Sequence, residues 1–191
     1  MTINHNHYLD LAFHLAEKNL GKTKLNPSVG TVIVKNGAVL SSGVTSFNGR
    51  PHSEFNALNN IKNCSGASLY TTLEPCTHFG KTPPCTNIIR KKRIKNVFYA
   101  FEDPDVRTFQ KAQKILSEKG IRTKLIRTKN YSKFYKSYFI NKRLSIPFVT
   151  GKIAISNDYL TINKKEKWIT NEVSRNKVHL LRSRHDCVLS T

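Results

Sequence analysis

Three side chains suited to metal binding and one carboxylate within residues 52–85 fit a single pattern. His52, Cys76 and Cys85 supply an imidazole and two thiols, and Glu54 stands two residues after the histidine. One histidine and two thiolates form a ligand set of catalytic zinc, which keeps its fourth position open for water. Zinc makes such a water acidic enough to react near neutral pH, and a carboxylate beside it can move the protons. Because all four residues fit one pattern, the sequence predicts a hydrolytic Zn²⁺ site with Glu54 as its catalytic acid and base.

The elements that must position these residues can be predicted from the pattern around them. A helix is predicted to begin near His52, because apolar residues recur at helical spacing after it. A strand over residues 67–73 ends shortly before Cys76. A second helix is predicted to begin at the Pro83–Pro84 pair, since proline is well tolerated in the first turn, and to carry Cys85. The positive end of a helix dipole favours a thiolate there.

The rest of the first 145 residues alternates strands with helices. Asn36-Gly37 lies between two apolar runs, which is a strong signal for a hairpin and makes the first two strands antiparallel. The later alternation of strands and helices predicts parallel pairing. We therefore expect an α/β fold, a three-layer α/β/α domain with a mixed sheet over residues 1–145. The other predicted elements are helices at 7–20, 109–119 and 132–144, and strands at 31–34, 38–40, 96–101, 123–126 and, beyond the domain, 147–155.

The spacing of Cys76 and Cys85 narrows the class of enzyme that the zinc site indicates. His-x-Glu followed by Pro-Cys is typical of zinc deaminases that act on nucleobases. Deaminases of tRNA adenosine, cytidine or deoxycytidylate usually have Pro-Cys-x-x-Cys, whereas eight residues separate Cys76 from Cys85 here. With this long loop, residues 5–145 resemble the deaminase domain of the bifunctional deaminase/reductase family of riboflavin biosynthesis. The other stretches that carry the resemblance are Asn26-Pro27-Ser28-Val29-Gly30, Gly49-Arg50-Pro51-His52-Ser53-Glu54, Leu73-Glu74-Pro75-Cys76 and Asp103-Pro104.

The resemblance implies a cytidine-deaminase-like fold and a specific substrate. The family removes the 2-amino group from 2,5-diamino-6-ribosylamino-4(3H)-pyrimidinone 5′-phosphate, so the implied partner is a phosphorylated pyrimidine. Lys81 is chemically suited to this substrate, because an ammonium group beside Thr82 can pair with a phosphate. The substrate-binding residues implied by position are Asn26, His78, Lys81, Thr82 and Asp103.

Two positions depart from the family pattern. A histidine usually stands seven residues before the metal-binding histidine, where this chain has Thr45. Asp-Pro-Asn is usual where this chain has Asp103-Pro104-Asp105. Both positions are expected near the substrate, so two further interpretations stay open: a deaminase with another substrate, and a degenerate, non-catalytic homologue that keeps zinc only for structure.

Residues 146–191 resemble the opening of the family's NADP-dependent reductase domain. Lys152, Trp168 and Arg182 lie in the matching stretches, and in the family Trp168 would contact NADP and Arg182 the substrate. A dinucleotide site needs a complete parallel sheet, which so short a segment cannot build. We therefore expect an incomplete reductase-like segment with vestigial matches, and neither NADP binding nor reductase activity from this chain alone. The segment is interpreted as a remnant, an interface or the start of a truncated reductase.

The positive charge of the chain suggests an alternative hypothesis, in which the substrate is a nucleic acid. The formal net charge is +20, of which residues 1–105 contribute +5 (12 basic, 7 acidic) and residues 106–191 contribute +15 (20 basic, 5 acidic). Clustered basic side chains supply the salt-dependent part of nucleic-acid binding, so a deaminase of tRNA adenosine is the second functional hypothesis. Because the excess lies away from the predicted zinc site, a solvated lysine-rich surface is the favoured interpretation.

Composition excludes several other classes. No signal peptide and no apolar run long enough to span a bilayer occur, which predicts a soluble cytoplasmic protein without a membrane partner. Four cysteines in a chain of this length do not form the dense framework of a small secreted domain. Cys64 and Cys187 are therefore expected to be reduced thiols. A homo-oligomer is compatible with the sequence.

Overall fold

The sheet that carries the site has five strands in the order β2-β1-β3-β4-β5. β1 pairs antiparallel with both β2 and β3, while β4 and β5 continue parallel to β3. The predicted mixed sheet is thereby confirmed. The strands are β1 Gly30–Lys35, β2 Ala38–Val44, β3 Ser68–Leu73, β4 Asn96–Phe101 and β5 Arg122–Leu125.

A computed structural model of the chain describes residues 4–128, 130–162 and 168–190. The chain divides into two compact units, residues 1–146 and residues 147–191. The first unit contains the sheet and five α-helices, and the second contains α6 within the described residues. The helices are α1 His5–Glu17, α2 Ser53–Asn59, α3 Cys85–Lys91, α4 Ala112–Ser117, α5 Lys136–Leu144 and α6 Glu172–Arg182.

Helices cover both faces of the sheet, as the three-layer prediction requires. Neighbouring residues of a strand point to opposite faces, and Val32 and Ile33 of β1 accordingly belong to different apolar clusters. On one face, Val32 packs in a cluster with Phe13 of α1 and Tyr135, which precedes α5. On the other face, the cluster of Ile33 includes Leu58 of α2, together with residues of α3 and α4. The first unit is therefore an α/β/α sandwich.

The hairpin between β1 and β2 forms at the predicted residues. Asn36 and Gly37 have φ angles of 52° and 79°, so both adopt the left-handed conformation that two-residue hairpin turns require. The turn pairs Lys35 with Ala38, and a register shift between Ile33 and Val34 then places Val44 of β2 opposite Gly30. The end of β2 and the beginning of β1 consequently lie at one edge of the sheet.

Some boundaries differ from the predictions. α1 ends at Glu17 rather than at residue 20, and α5 begins at Lys136 rather than at 132. α4 begins at Ala112 rather than at 109, since Gln110 has a φ of 58°, which no right-handed helix accommodates. The carboxylate of Glu74, which is distant in sequence, accepts the backbone N–H of Gln110 and stabilises this conformation.

The prediction of a strand over residues 147–155 is wrong. No strand occurs in the described residues of the second unit, and apolar side chains such as Val149 and Ile153 are exposed. A strand needs hydrogen-bonded neighbours to be stable, and the apolar pattern alone cannot supply them. The described part of the chain also has no helix that is both long and apolar enough to cross a lipid bilayer.

Candidate metal centre and substrate pocket

The topology gathers the predicted site residues at one edge of the sheet. β3 and β4 are parallel, so the segments that leave them, beginning at Glu74 and Glu102, meet there. β1 runs the other way, and the segment that enters it, residues 26–29, reaches the same edge. Loops at the carboxyl ends of parallel strands are the usual place for ligand sites in open α/β sheets.

The three metal-binding side chains converge at this edge. His52 is the residue before the first turn of α2, Cys85 is the first residue of α3, and Cys76 follows β3. The Nδ1 atom of His52 lies 3.5 Å from Sγ of Cys76 and 3.4 Å from Sγ of Cys85. All three ligand atoms lie within 4.8 Å of one another. Tetrahedral zinc places such nitrogen and sulfur ligands about 3.5 Å apart, so the donor set fits zinc.

The two thiols differ strongly in acidity. A hydrogen bond from the Cys85 thiol and the nearby His52 imidazole lower the pKa of Cys76 to about 4, although burial opposes them. The backbone N–H of Cys85 also donates to Sγ of Cys76, at 3.2 Å. Sharing that hydrogen bond and being buried raise the pKa of Cys85. One thiolate therefore forms readily, and a metal ion would take the place of the proton that the pair shares.

Glu54 is almost completely buried beside the ligands, with 4% of its surface exposed. Burial raises the pKa of its carboxyl, and the His52 imidazole partly offsets this. The Ser53 hydroxyl donates to Oε2 of Glu54 at 3.1 Å, and it lies 2.8 Å from the Thr31 hydroxyl, which donates to Thr71 at 3.2 Å. These hydroxyls, all buried, link the carboxyl of Glu54 on α2 to β1 and β3. The carboxyl is thus fixed by the sheet.

A cavity of about 640 Å³ opens over the metal-binding residues. Its walls include His52, Glu54 and Cys76, so the predicted acid–base residue and two predicted ligands share one space. The predicted substrate-binding residues that line the same cavity are Asn26, His78, Lys81 and Asp103. The structure therefore brings together most residues singled out from the sequence.

Two of these wall residues also have structural hydrogen bonds. Asn26 donates from Nδ2 to the carbonyl of Gly49, at 3.0 Å. Gly49 has a φ of 86°, and a Cβ there would lie 2.4 Å from that same Nδ2, so glycine is required for the close approach. His78 lies 3.1 Å through Nδ1 from the hydroxyl of Thr108, which is fully buried. Lys81 is exposed at the mouth.

Thr82 is the predicted residue that is not in the cavity wall. Its hydroxyl accepts a hydrogen bond from the Arg50 guanidinium, and Arg50 itself lines the cavity. The contact connects the segment before His52 to the long loop between the two cysteines. Arg50, rather than Thr82, thus presents a polar group to the cavity at this point.

The two positions that depart from the family pattern both line the cavity. Thr45 is buried, and its hydroxyl accepts from the backbone N–H of Val29 at 3.0 Å, which fixes the entry to β1. Asp105 forms ion pairs with Arg107 at 2.6 Å and with Lys142 at 3.3 Å. The carboxylate at position 105 is therefore neutralised by two cations of the same wall.

Glu74 is a structural residue that the sequence did not assign. It is buried, and its carboxylate accepts three backbone N–H groups: those of Asp103 at 3.2 Å and Gln110 at 3.1 Å through Oε2, and that of Ala112 at 3.0 Å through Oε1. Burial raises its pKa, and these three hydrogen bonds lower it. Glu74 fixes the path of the loop from β4 to α4. A charged residue at a strand end beside Pro75 is the only signal that could have indicated this role.

Helix α5 supplies two further wall residues that the sequence did not assign. Tyr138 and Lys142 line the cavity and contact Asp103 and Asp105 through hydrogen bonds of 2.9 and 3.3 Å. A helix of basic and aromatic residues was predicted there, but nothing in its local pattern shows which face meets the site. These residues can be recognised only from the tertiary fold.

The predicted reductase matches lie in the second unit. Trp168 is half exposed, and the guanidinium of Arg175 lies 5.1 Å from its ring centroid. Arg182 is the last residue of α6, and Lys152 lies in an exposed segment without regular structure. Within the described residues of this unit there is no sheet to which these side chains could be attached.

Comparison with known proteins agrees with the geometry. Residues 2–101 match the family model of the cytidine and deoxycytidylate deaminase zinc-binding region. The chain is 37% identical over 187 residues to the riboflavin biosynthesis protein RibD of Bacillus amyloliquefaciens, covering 96% of this chain and 50% of the relative. The chain spans about half the length of the curated relatives it matches.

Solved structures show the same similarity. RibD of Acinetobacter baumannii, form 1, superposes with a TM-score of 0.84 at 32% identity, covering 94% of this chain and 52% of that one. A diaminohydroxyphosphoribosylaminopyrimidine deaminase/5-amino-6-(5-phosphoribosylamino)uracil reductase from Thermotoga maritima gives a TM-score of 0.84 at 32% identity, covering 93% of this chain and 52% of that one.

Proposed function

Since the chain belongs to the family defined by the cytidine and deoxycytidylate deaminase zinc-binding region, we propose that it is a zinc-dependent deaminase of riboflavin biosynthesis. Its substrate would be 2,5-diamino-6-ribosylamino-4(3H)-pyrimidinone 5′-phosphate, and residues 1–145 would form the deaminase domain. The observation that carries the proposal is the convergence of His52, Cys76 and Cys85 into one ligand set, two members of which line a cavity together with Glu54. The names of the similar bacterial proteins support the substrate.

The proposed site residues divide into a metal-binding set and a proton carrier. His52, Cys76 and Cys85 would hold Zn²⁺, which supplies a Lewis acid that makes water reactive near neutral pH. Glu54 would take a proton from the attacking water and deliver protons to the ring nitrogen and then to the departing amine. The carbon–nitrogen bond breaks, a carbonyl forms, and ammonia leaves.

The cavity walls suit a phosphorylated substrate. Lys24, Arg50 and Lys81 line the cavity, so several cations surround the space that a phosphate would enter. Asn26, His78 and Asp103 would contact the heterocycle and the ribose through hydrogen bonds. Lys81 would lie near the phosphate, with Thr82 acting there through its hydrogen bond to Arg50. NADP binding by this chain alone is not part of the proposal.

The decisive experiment is an assay of ammonia release from the diaminopyrimidinone phosphate. We expect turnover by the wild type and a loss of about 10²- to 10⁴-fold in the variant Glu54→Gln, because the variant cannot accept a proton. Zinc content measured on the same samples should be unchanged. Glu17→Gln, which alters an exposed glutamate at the end of α1, is the matched control and should be as active as the wild type.

The assay also tests the competing interpretations. Release of ammonia that does not depend on Glu54, or no release from a zinc-loaded sample, would contradict the proposal. Activity on tRNA adenosine under the same conditions would instead favour the nucleic-acid alternative. A zinc-loaded protein that is inactive on both substrates would favour a non-catalytic homologue.

A further inference from the structure

Helix α5 forms a wall of the cavity although it lies outside residues 2–101, which the family model matches. Tyr138 and Lys142 both line the cavity. They are four residues apart, so they lie on one face of the helix, one turn from each other. The face of α5 that they share is therefore directed at the proposed substrate.

Tyr138 fixes one oxygen of a proposed substrate-binding carboxylate. Its O–H donates to Oδ1 of Asp103 at 2.9 Å, and the backbone N–H of Asp105 donates to the same oxygen at 3.0 Å. In the described part of the chain, no group donates to the other oxygen, Oδ2. Asp103 is 7% exposed, and it lines the cavity. One carboxylate oxygen is thus held by the protein while the other is left for a ligand.

A second contact holds α5 against the same loop. Nζ of Lys142 lies 3.3 Å from Oδ2 of Asp105, whose carboxylate also receives the Arg107 guanidinium at 2.8 Å and 2.6 Å. The ring of Tyr138 packs against Tyr135, with centroids 6.4 Å apart. The packing against Tyr135 and the contact of Lys142 with Asp105 therefore fix the helical turn that carries Tyr138.

We propose that Tyr138 is a positioning residue that orients the carboxylate of Asp103 for substrate binding, so that α5 is an integral part of the deaminase site. The inference rests on the proposed function, because it takes Asp103 as a substrate contact. It goes beyond that function by assigning a role to a residue of α5. Tyr138 acts through Asp103 and takes no part in proton transfer.

The hydrogen bond also affects the charge state of Asp103. Burial raises the pKa of Asp103, and the O–H of Tyr138 lowers it because the bond favours the ionised form. Burial and the nearby Asp103 raise the pKa of Tyr138 itself, so its hydroxyl stays protonated and acts as a donor. The titratable and charged groups that face Asp103 are Glu74, Asp105, Arg107, Tyr135, Tyr138 and Lys142.

The test compares Tyr138→Phe with a matched variant of the same helical region, Tyr135→Phe. The Tyr135 hydroxyl is also buried and hydrogen-bonded, to Thr72 at 2.6 Å and to the carbonyl of Ser28 at 3.0 Å, but Tyr135 does not line the cavity. Both changes remove one hydroxyl and keep the ring. Thermal unfolding of both variants checks that each is folded.

Two readouts are expected to separate the variants. In protein labelled with ¹³C at the aspartate carboxyl, with the resonance assigned by Asp103→Asn, Tyr138→Phe should raise the pKa of Asp103 by roughly one unit. In the deaminase assay, Tyr138→Phe should raise KM about 10-fold with little change in kcat, since a hydrogen bond to a charged group orients a binding residue. Tyr135→Phe should change neither quantity, because it keeps the ring that packs against Tyr138 and the lost hydroxyl bonds to Thr72 and Ser28 rather than to Asp103.

The outcomes separate this inference from the proposed function. An Asp103 titration and a KM that are unchanged in Tyr138→Phe, or equal shifts in Tyr135→Phe, would overturn the positioning role. The carboxyl titration needs no substrate, so it decides whether Tyr138 controls Asp103 even if the wild type does not deaminate the pyrimidine. An inactive wild type would overturn the proposed function alone.

Discussion

The two walls of the cavity are built in different ways. On the metal-binding wall, His52 and Cys76 line the cavity and Cys85 lies buried next to them. Each of the three lies at the beginning of a helix or just beyond the end of a strand. On a second wall, the loop wall, residues 103–107 have no regular structure and depend on the side chain of Glu74, which follows β3, and on side chains of α5. The first wall is therefore specified by nearby backbone, and the second by contacts between distant parts of the chain.

The two walls also differ in how their charges are neutralised. The metal-binding wall concentrates acidic groups, Glu54 and two thiols, that a divalent cation would neutralise. On the loop wall, by contrast, Asp105 is already neutralised within the protein, since it pairs with Arg107 and Lys142. We therefore expect the first wall to depend on zinc, and the second to keep its geometry without it. Substitutions on each wall test this difference.

Loss of a ligand should have the largest effect. Cys76→Ser removes the more acidic thiol, so zinc content should fall far below one ion per chain and deaminase activity to below about a thousandth of the wild type. Metal analysis and the ammonia assay check this. Cys64→Ser is the control, because this buried thiol bonds to the carbonyl of Lys92, away from the ligand set. Retention of zinc by Cys76→Ser would contradict the assigned ligands.

Disruption of the loop wall should lower stability and leave zinc in place. In Glu74→Gln, an NH₂ group replaces an oxygen that accepts backbone N–H groups, so the free energy of unfolding should fall by about 2–3 kcal/mol. Chemical denaturation measures the change. Glu102→Gln, which alters a partly exposed neighbour at the end of β4, should change it by less than about 0.5 kcal/mol. Loss of zinc from Glu74→Gln would show that the walls are not independent.

This difference between the walls explains what the sequence could predict. The hairpin at Asn36-Gly37, the strand at 96–101 and the helix beginnings near His52 and Cys85 follow from local turn chemistry and periodicity, and the structure has them at these places. The metal-binding wall consists of such local features. For the same reason its residues could be assigned to one site before the fold was known.

The other features could not be predicted, because contacts between distant parts of the chain determine them. The delayed beginning of α4 depends on Gln110 in a left-handed conformation, which the carboxylate of Glu74 holds from a distant strand. Residues 147–155 show the opposite case, since they have an apolar pattern typical of a strand but form no strand in the part of the chain that the structure describes. Tyr138 and Lys142 reach the site only because α5 packs there.

A smaller effect is expected from the hydroxyl network behind Glu54. Ser53→Ala removes the donor to Oε2 of Glu54, so kcat should fall about 10-fold while KM stays the same, because the carboxylate loses orientation rather than contact with substrate. Steady-state kinetics with zinc analysis measure this. Ser41→Ala is the control, since the Ser41 hydroxyl bonds to the carbonyl of Ala57 on the same helix. A raised KM with unchanged kcat would argue against the network.

The smallest effect should come from the ion pairs of Asp105, and it should depend on pH. The Arg107 guanidinium, with Lys142, holds the pKa of the Asp105 carboxyl well below its usual range. A lowered pKa in the folded state contributes stability above the pKa of the unfolded chain, about 3.9, and that contribution is lost as the pH falls toward the folded-state value.

Asp105→Asn should therefore be less stable than the wild type by under about 1 kcal/mol at pH 7, because Arg107 is more than half exposed and solvent screens the pair. The difference should shrink when unfolding is measured below pH 4. A deficit that persisted at low pH would mean that Asp105 stabilises the wall through neutral hydrogen bonds to its loop. Charge pairing is one of two differences between this wall and the metal-binding wall. That result would remove it, and the walls would then differ only in whether neighbouring or distant parts of the chain build them.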